Sequence, residues 1–429
     1  MKIDNSRFGP GKKFPGSAVL HVPANSGVAL TKECASLAKN GWAFVCPFLA
    51  VEHNGRFTGY RWQPWSPLRS GPVMTREQDQ WRAVWPAGTR VAAMEETRSL
   101  PELVRAYRRI QPLPDVPGKT VCDRVRRTIF LDLWLADGRI THTYHDVIRL
   151  LKELENTHLA EGTLLYLPGW FAPYDQKYPL YEPAEELGGK QVFRRMVALA
   201  GKIGSVIMPH LNFWGYDPRL DPLMDRSVVQ ARDHSGNLAH WPKFCNLFMG
   251  NEISYMRISH PDWQKLFFRY FDALVGDYGL EAVFLDQMGN VLEDPACDFQ
   301  SATTALLRRI HASFPHLLIG GEVLSEALTD HVGLIQSIWL NDVHEQSWSP
   351  VIKHLYAGKV RFLPHLFLAA AKPCRYVVTN YQWFVERGTE AAFKHYQSFN
   401  RRLGGIPSVR IDYNRFGIDA ESRAVLKTR

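Results

Sequence analysis

Two acidic residues follow apolar segments that are typical of buried β-strands. Asp286 comes near the end of AVFLDQ at 282–287, and Glu322 ends LLIGGE at 317–322. Neighbouring strands of a sheet lie about 4.8 Å apart, so two carboxyl groups at equal heights can lie close together. Carboxyl groups about 5–5.5 Å apart serve as nucleophile and as general acid/base in retaining glycoside hydrolysis, and the ionised partner raises the pKa of the other. The sequence predicts Asp286 as the nucleophile and Glu322 as the acid/base.

Each of these carboxylates could instead have a structural role. A strand-terminal Asp can cap the following helix or pair with an arginine. Glu326, four residues beyond Glu322, is a rival acid, but Glu322 directly follows Gly320 and Gly321 at the predicted strand end. Two carboxylates on successive strands of an aromatic-rich chain favour catalysis.

Aromatic residues are concentrated in the segments after the second and third predicted strands. These segments are LPGWFAPYDQKYPLYEP at 167–183 and NFWGYDPRLDP at 212–222. Aromatic faces stack on sugar rings while neighbouring polar groups hydrogen-bond the hydroxyls, although packing in the core is the competing interpretation for any single ring. From these segments and the strand ends, the predicted substrate-binding residues are Trp170, Tyr174, His210, Asn212, Trp214, Gln287, Asn341 and Asp342.

Apolar segments alternate with amphipathic helices from about residue 121, and this alternation predicts the elements that carry the site. Strands are predicted at 128–135, 163–170, 205–214, 282–287, 317–322 and 337–342, with helices at 145–154, 193–204, 260–279 and 301–314. Segments 361–370 and 376–384 could supply a seventh and an eighth strand. Such βα units predict an α/β fold in which residues 121–429 form a (β/α)8 TIM barrel as the catalytic domain. The active site of such a barrel lies at the carboxyl ends of the strands. A doubly wound open sheet is the alternative, but no glycine-rich phosphate fingerprint opens a helix.

The first 120 residues predict a smaller, irregular α+β accessory segment. Strands are predicted at 17–22, 42–49 and 89–94, and helices at 28–39 and 99–110. The proline-rich stretch QPLPDVPG at 111–118 predicts the boundary with the barrel.

Composition restricts the partners of this chain. Its 45% hydrophobic and 22% charged residues are typical of a globular protein, and the Lys and Arg residues behind the net charge of +8 are scattered in pairs. We therefore expect neither nucleic acid nor membrane as a partner, whereas the aromatic segments predict a carbohydrate, and the oligomeric state stays open. Six widely spaced cysteines, without zinc-type spacing, predict free thiols in a cytoplasmic protein, or a secreted one if a signal peptide has been removed.

Several spaced motifs together resemble a known group of enzymes. YLPGW, YDQKYPLYEPAEELGG, VIMPHLNFWG and YGLEAVFLDQMG, spread over roughly 125–345, are similar to the barrel domain of bacterial glycosidases related to the endo-α-N-acetylgalactosaminidases. The resemblance implies an α-amylase-like arrangement, with an Asp nucleophile after the fourth strand and a Glu acid/base after the fifth, at Asp286 and Glu322. Such enzymes carry large β-sandwich domains around the barrel, whereas this chain has about 120 residues in front of it. The sugar that it would bind is therefore open.

Two other classes of function compete with a retaining α-glycosidase. A metal-dependent hydrolase could use His142, His145 and Asp146 of HTYHD together with His210, although the sequence lacks a His-x-His pair on the first strand. A barrel that binds carbohydrate without cleaving it would use the same aromatic residues. We expect a glycosidase that needs neither metal nor cofactor.

Overall fold

The computed structural model describes residues 8–22, 28–30, 46–63, 72–111, 116–220, 224–233, 236–241, 253–288, 292–321, 328, 330–337, 361–362, 375–378, 406–411 and 427. In chain order its strands are β1 (Phe8–Pro15), β2 (Val19–Val22), β3 (Val28–Leu30), β4 (Phe48–His53), β5 (Arg56–Gln63), β6 (Val73–Glu77), β7 (Gln80–Pro86), β8 (Arg90–Ala93), β9 (Arg127–Phe130), β10 (Thr163–Leu167), β11 (Val206–Asn212), β12 (Gly215–Tyr216), β13 (His240–Trp241), β14 (Ile253–Tyr255), β15 (Ala282–Asp286), β16 (Glu293–Asp294), β17 (Cys297–Asp298), β18 (Leu318–Gly321), β19 (Leu334–Ser337), β20 (Arg361–Phe362), β21 (Arg375–Val378) and β22 (Ser408–Arg410). The helices are α1 (Leu100–Ile110), α2 (Lys119–Arg124), α3 (Tyr144–Asn156), α4 (Gly189–Lys202), α5 (Arg226–Val229), α6 (Pro261–Tyr278) and α7 (Phe299–Ser313), with a 3-10 turn at Glu185–Leu187.

The N-terminal region is built from antiparallel sheets that share a core. One sheet has the order β1-β7-β6 and the other the order β20-β3-β2-β4-β5-β8. Side chains alternate along β7, so that Trp81, Ala83 and Trp85 are buried while the residues between them face outward. These residues pack against Leu20 and Trp62 of the six-stranded sheet.

Several predictions for this region need correction. The predicted helix at 28–39 is wrong at its start, because Val28–Leu30 is a strand paired with β2, and residues 31–39 lie outside the described residues. Of the predicted strand at 361–370, Arg361 and Phe362 pair with β3 of the N-terminal sheet and not with the parallel sheet, whereas residues 363–370 lie outside the described residues. Helix α1 is confirmed within one residue, and its N-cap Ser99 accepts a hydrogen bond from the backbone N–H of Glu102.

The second region is an α/β unit around a parallel sheet with the order β21-β19-β18-β15-β11-β10-β9-β22. Neighbouring strands follow one another in the chain from β9 to β21, and the last strand, β22, pairs in parallel with the first, β9. The predicted units from β9 to β18 are confirmed, with shifted ends. The sixth strand, predicted at 337–342, begins earlier, because β19 is Leu334–Ser337, and residues 338–342 lie outside the described residues; β22 was not predicted.

Alternation along the strands divides this region into two apolar layers. Phe130, Tyr166, Met208 and Phe284 belong to one cluster with other strand residues of even number. Odd-numbered residues such as Leu165, Ile207 and Leu285 belong to a larger cluster with α3, α4, α6 and α7. Because side chains of a strand alternate between the faces, even-numbered residues at the strand ends face away from these four helices.

The helices that cover the sheet carry recognisable sequence signals. Helix α3 starts with a capping box in which the side chain of Thr143 accepts from the N–H of Asp146 and the Asp146 carboxylate accepts from the N–H of Thr143. Helix α6 begins at Pro261 and ends before Gly279, which has a left-handed backbone conformation with φ of 64°. Among the described residues, no helix is both long enough and apolar enough to cross a membrane.

Candidate active site

The carboxyl ends of β10, β11 and β15 bring together the polar side chains of the candidate site. Asp286 is the last residue of β15, the fourth strand of the parallel sheet in chain order, and it is 5% exposed. Asn212 lies opposite Asp286 in the parallel pairing, and His210 lies opposite Phe284. All three polar residues have even numbers, so their side chains project from the face of the sheet that is turned away from α3, α4, α6 and α7. The predicted position of Asp286 at the end of the fourth strand is confirmed.

His210 lies at the centre of this cluster. Its Nδ1 is 2.5 Å from the hydroxyl of Tyr166, and its Nε2 is 3.1 Å from the hydroxyl of Tyr178. The same Nε2 is 3.9 Å from Oδ2 of Asp286, which is longer than a hydrogen bond. Burial lowers the pKa of His210 to about 3, so the imidazole is neutral at physiological pH.

A second carboxyl group, that of Asp175, reaches the cluster from the loop after β10. The hydroxyl of Tyr178 donates a hydrogen bond to Oδ1 of Asp175 over 3.1 Å. Burial raises the pKa of Asp175 to about 6, against the opposing effect of the Tyr178 hydrogen bond. One side-chain ligand atom from each of Asp175, His210 and Asp286 lies within 4.8 Å of the others. The site therefore combines two carboxyl groups with a neutral imidazole.

Asn212 is fixed by several hydrogen bonds and forms a further one with the side chain of Gln287. The hydroxyl of Tyr181 donates to the backbone oxygen of Asn212 and accepts from its N–H, the latter over 3.1 Å. The side-chain oxygen of Asn212 accepts from the N–H groups of Trp214 and Gly215 at 3.2 and 2.7 Å. Its side-chain nitrogen donates to the amide oxygen of Gln287 over 3.3 Å. Gln287 has a φ of 58°, a left-handed conformation that is uncommon for a residue other than glycine and is found at functional sites.

The loop that carries Asp175 is anchored by a partly buried ion pair. The carboxylate of Asp217 accepts from the N–H of Lys177 at 2.8 Å and binds the guanidinium of Arg219 at 2.6 Å. Arg219 also donates to the side-chain oxygen of Gln176 over 3.1 Å. These contacts connect the loop after β10 to the segment after β12. Because Gln176 and Lys177 lie within two residues of Asp175, the contacts also restrain that carboxylate. Asp175 and Lys177 themselves have φ of 60° and 57°.

The predicted aromatic residues take different positions. The ring of Tyr174 is centred 5.1 Å from that of His210, at the cluster. The indole of Trp170 is fully buried, and its N–H donates to the backbone oxygen of His210 over 2.9 Å. The indole of Trp214 is also fully buried and stacks on Tyr255 at 4.0 Å with an angle of 7° between the planes. Both indoles are enclosed by other residues in the structure, so direct stacking of a sugar on either remains a prediction.

Three predicted site residues lie outside the described residues: Glu322, Asn341 and Asp342. Their roles therefore remain predictions, as does that of the rival acid Glu326. Sequence reasoning placed Tyr178 only among the aromatic residues of its loop, and it missed Asp175 and Tyr166 as polar members of the cluster. The signal for Asp175 was a carboxylate between two tyrosines, Tyr174 and Tyr178, in the loop that follows a buried strand.

The predicted alternative metal site in HTYHD does not assemble. The Asp146 carboxylate caps α3, the Nδ1 of His142 is 2.9 Å from the backbone oxygen of Asp132, and His145 is exposed. Asp175, His210 and Asp286 are the residues that could hold a cation among those that the structure describes. Both nitrogens of His210 already contact tyrosine hydroxyls, which disfavours a metal ion at this position.

Comparisons with known proteins agree with this architecture. A family model described as a domain of unknown function, DUF6259, matches residues 131–301, whereas no curated protein matches the chain in sequence. An α-N-acetylgalactosaminidase from Bifidobacterium bifidum is similar with a TM-score of 0.58 and 15% identity, over 75% of this chain and 61% of that protein. An α-galactosidase from Thermus thermophilus is similar with a TM-score of 0.60 and 13% identity, over 98% of this chain and 89% of that protein. At these identities the likeness shows a shared fold, and this chain spans about three fifths of the length of the Bifidobacterium enzyme.

Proposed function

We propose that this protein is a retaining α-glycosidase with Asp286 as its nucleophile. The observation that carries the proposal is a buried carboxylate at the end of the fourth parallel strand, surrounded by polar side chains from the two preceding strands and the loop between them. The fold is shared with an α-galactosidase and an α-N-acetylgalactosaminidase, which favours an α-linked galactose-type sugar as substrate.

We further propose that the parallel sheet closes into a (β/α)8 barrel. In support, its strands are adjacent in chain order and the last strand lies beside the first. An open doubly wound sheet reverses its strand order at a switch point and would not return its final strand to the first one. The even-numbered side chains would then fill the inside of the barrel, and Asp286 would lie at its mouth, where active sites of such barrels are found.

The proposed acid/base is Glu322. The pairing of β15 and β18 sets Leu285 opposite Gly321, and the next residues along the two chains are Asp286 and Glu322. In the first step Asp286 attacks the anomeric carbon while protonated Glu322 gives its proton to the leaving oxygen. Glu322 then removes a proton from water, which cleaves the glycosyl-enzyme and returns Asp286 as a carboxylate.

The surrounding residues have separate roles in this proposal. Gln287 and Tyr174 are candidate ligands of sugar hydroxyls, together with Asn341 and Asp342. Asn212 fixes the amide of Gln287, and His210 places a neutral ring beside Asp286. No metal or cofactor takes part.

The test uses p-nitrophenyl α- and β-galactosides and the corresponding N-acetylgalactosaminides. We expect turnover of an α-glycoside that falls at least about 1,000-fold in Asp286→Asn, because that variant lacks the nucleophile. Asp298→Asn is the matched control, since this exposed carboxylate caps α7 and does not belong to the cluster of Asp175, His210 and Asp286. Unchanged turnover in Asp286→Asn would refute the assignment.

Added azide distinguishes the two carboxylates. With Asp286→Gly, azide takes the place of the nucleophile and the product is a β-glycosyl azide. With Glu322→Gln, azide attacks the glycosyl-enzyme in place of water and the product is the α-glycosyl azide. The reverse pattern would exchange the two roles.

A metal-dependent hydrolase is the second candidate, because Asp175, His210 and Asp286 lie close enough to share a cation. Elemental analysis of the purified protein tests it, and a stoichiometric transition metal required for turnover would favour this candidate. If no glycoside in the panel is cleaved while a sugar still binds, a barrel that binds carbohydrate without cleaving it gains support.

A further inference from the structure

We propose that Asp175 is a positioning residue that fixes the tautomer of His210, through a chain of hydrogen bonds from Asp175 to Tyr178, His210 and Tyr166. The chain rests on three contacts: Tyr178 with Asp175 at 3.1 Å, Tyr178 with His210 Nε2 at 3.1 Å, and Tyr166 with His210 Nδ1 at 2.5 Å. It joins the loop after β10 to the ends of β10 and β11.

An ionised Asp175 determines where every proton of this chain lies. A carboxylate only accepts hydrogen bonds, so Tyr178 must give its single hydroxyl proton to Asp175. The oxygen of Tyr178 then accepts from His210, which requires a proton on Nε2. Because a neutral imidazole carries one proton, Nδ1 is left with a lone pair and accepts from the hydroxyl of Tyr166.

This arrangement of protons determines whether His210 turns a protonated Nε2 or a lone pair towards Asp286. In the Nε2–H tautomer the positive edge of the ring lies 3.9 Å from Oδ2 of Asp286, so the tautomer favours the ionised form of that carboxylate. In the opposite tautomer a lone pair would face the same oxygen and disfavour it. The inference rests on the proposed function, because an ionised Asp286 is the form that attacks the sugar.

Protonation of Asp175 allows the donor and acceptor roles along this hydrogen-bond chain to reverse. A protonated Asp175 can donate to Tyr178, which frees the hydroxyl proton of Tyr178 for His210 and allows the other tautomer. The groups that face Asp175 in the described residues are Tyr174 and Tyr178 from its own loop, His210 from β11 and Asp286 from β15. Since burial raises the pKa of Asp175 to about 6, the switch falls near that pH.

The decisive experiment measures the tautomer directly and needs no substrate. Protein labelled with ¹⁵N-histidine is examined by two-dimensional NMR at pH 7.5, and the His210 signals are identified as those missing from His210→Gln. We expect a protonated Nε2 and an unprotonated Nδ1 in the wild type and in Asp175→Asn, whose amide oxygen still accepts from Tyr178. In Asp175→Ala and Tyr178→Phe we expect a mixture of tautomers. A protonated Nδ1 in the wild type, or an unchanged spectrum in Asp175→Ala, would overturn the proposal.

Kinetics with a cleaved aryl glycoside then test the consequence. We expect kcat of Asp175→Ala to fall about 10- to 100-fold with little change in KM, as for a group that supports a catalytic residue, and the double variant with Tyr178→Phe to lose little more. Asp175→Asn removes the titrating group, so the acidic limb of its kcat profile should move below that of the wild type. An increase in KM without loss of kcat would mean that Asp175 binds the substrate, which overturns a positioning role.

Asp217→Asn is the matched structural control, because Asp217 anchors the same loop through Lys177 and Arg219 but lies outside the chain. It should lower the melting temperature and leave both the tautomer and the acidic limb as in the wild type. If it reproduces the changes of Asp175→Ala, the effect is loosening of the loop and the proposal is wrong. Since the NMR result needs no turnover, the tautomer assignment can fail while the glycosidase stands, and the reverse also holds.

Discussion

Removal of a single hydroxyl group, in Tyr181→Phe, should destabilise the protein and disturb the candidate site. The hydroxyl of Tyr181 contacts both the backbone oxygen and the backbone N–H of Asn212, the residue that lies opposite Asp286 in the sheet. Tyr181 is 2% exposed and Asn212 is fully buried, so water cannot replace these hydrogen bonds without a rearrangement. Each buried backbone group left without a partner costs about 1–3 kcal/mol. Because two such groups lose their partner, we expect the free energy of unfolding to fall by about 2–6 kcal/mol.

The corresponding change in melting temperature follows from the size of the chain. An unfolding entropy of about 2.1 cal/mol/K per residue gives about 0.9 kcal/mol/K for 429 residues that unfold in one transition. The melting temperature should therefore fall by about 2–7 °C, and urea denaturation measures the free energy independently. Tyr270→Phe is the matched control, because Tyr270 is a half-buried tyrosine on the outer helix α6. If the two variants agree to within about 0.5 kcal/mol, the hydroxyl of Tyr181 does not support Asn212 as inferred.

Two further substitutions test contacts that hold the elements around the site. Thr143→Ala removes half of the capping box of α3 and should lower the free energy of unfolding by about 1 kcal/mol. Thr143→Ser should retain most of the stabilisation by the cap, and urea denaturation distinguishes the two variants. Asp294→Asn leaves the guanidinium of Arg257 without its buried partner and should cost about 3 kcal/mol at pH 7. Burial raises the pKa of Asp294, but the hydrogen bonds from Arg257 and from two backbone N–H groups lower it by a larger amount. The net shift of the pKa is therefore downward. The stabilisation by Asp294 is therefore complete above its pKa in the unfolded chain, about 3.9, and is lost as the pH falls through its lower pKa in the folded protein. If the difference in free energy of unfolding between variant and wild type grew on acidification, this sign would be contradicted.

The sequence alone was sufficient for the βα units between β9 and β18. Their apolar segments alternate with amphipathic helices, and both patterns are local properties that survive in any tertiary context. The helix α6 was predicted at 260–279 and lies at Pro261–Tyr278, since a proline at its start and a glycine after its end are strong local signals. The place of Asp286 at a strand end followed from the same pattern.

Short strands could not be assigned to a sheet in this way. The segment at 361–362 contributes two residues to the N-terminal sheet, and the strand at Ser408–Arg410 contributes three to the parallel sheet. Two or three residues are too few to show a period, and their pairing partners lie more than 250 residues away in the chain. The short strand Val28–Leu30 was predicted as helix for the same reason.

The amino-acid sequence alone was enough to assign the type and order of the long elements and the carboxylate that ends the fourth parallel strand. The three-dimensional arrangement was needed to show that Asp175, Tyr178, His210 and Tyr166 form one chain beside Asp286, and that Trp170 and Trp214 are fully buried. Hydrophobic periodicity is read within one element, because it records which face of that element is buried. A hydrogen bond between side chains from different elements depends on how the loops return those elements to one another, and no local pattern records that distance.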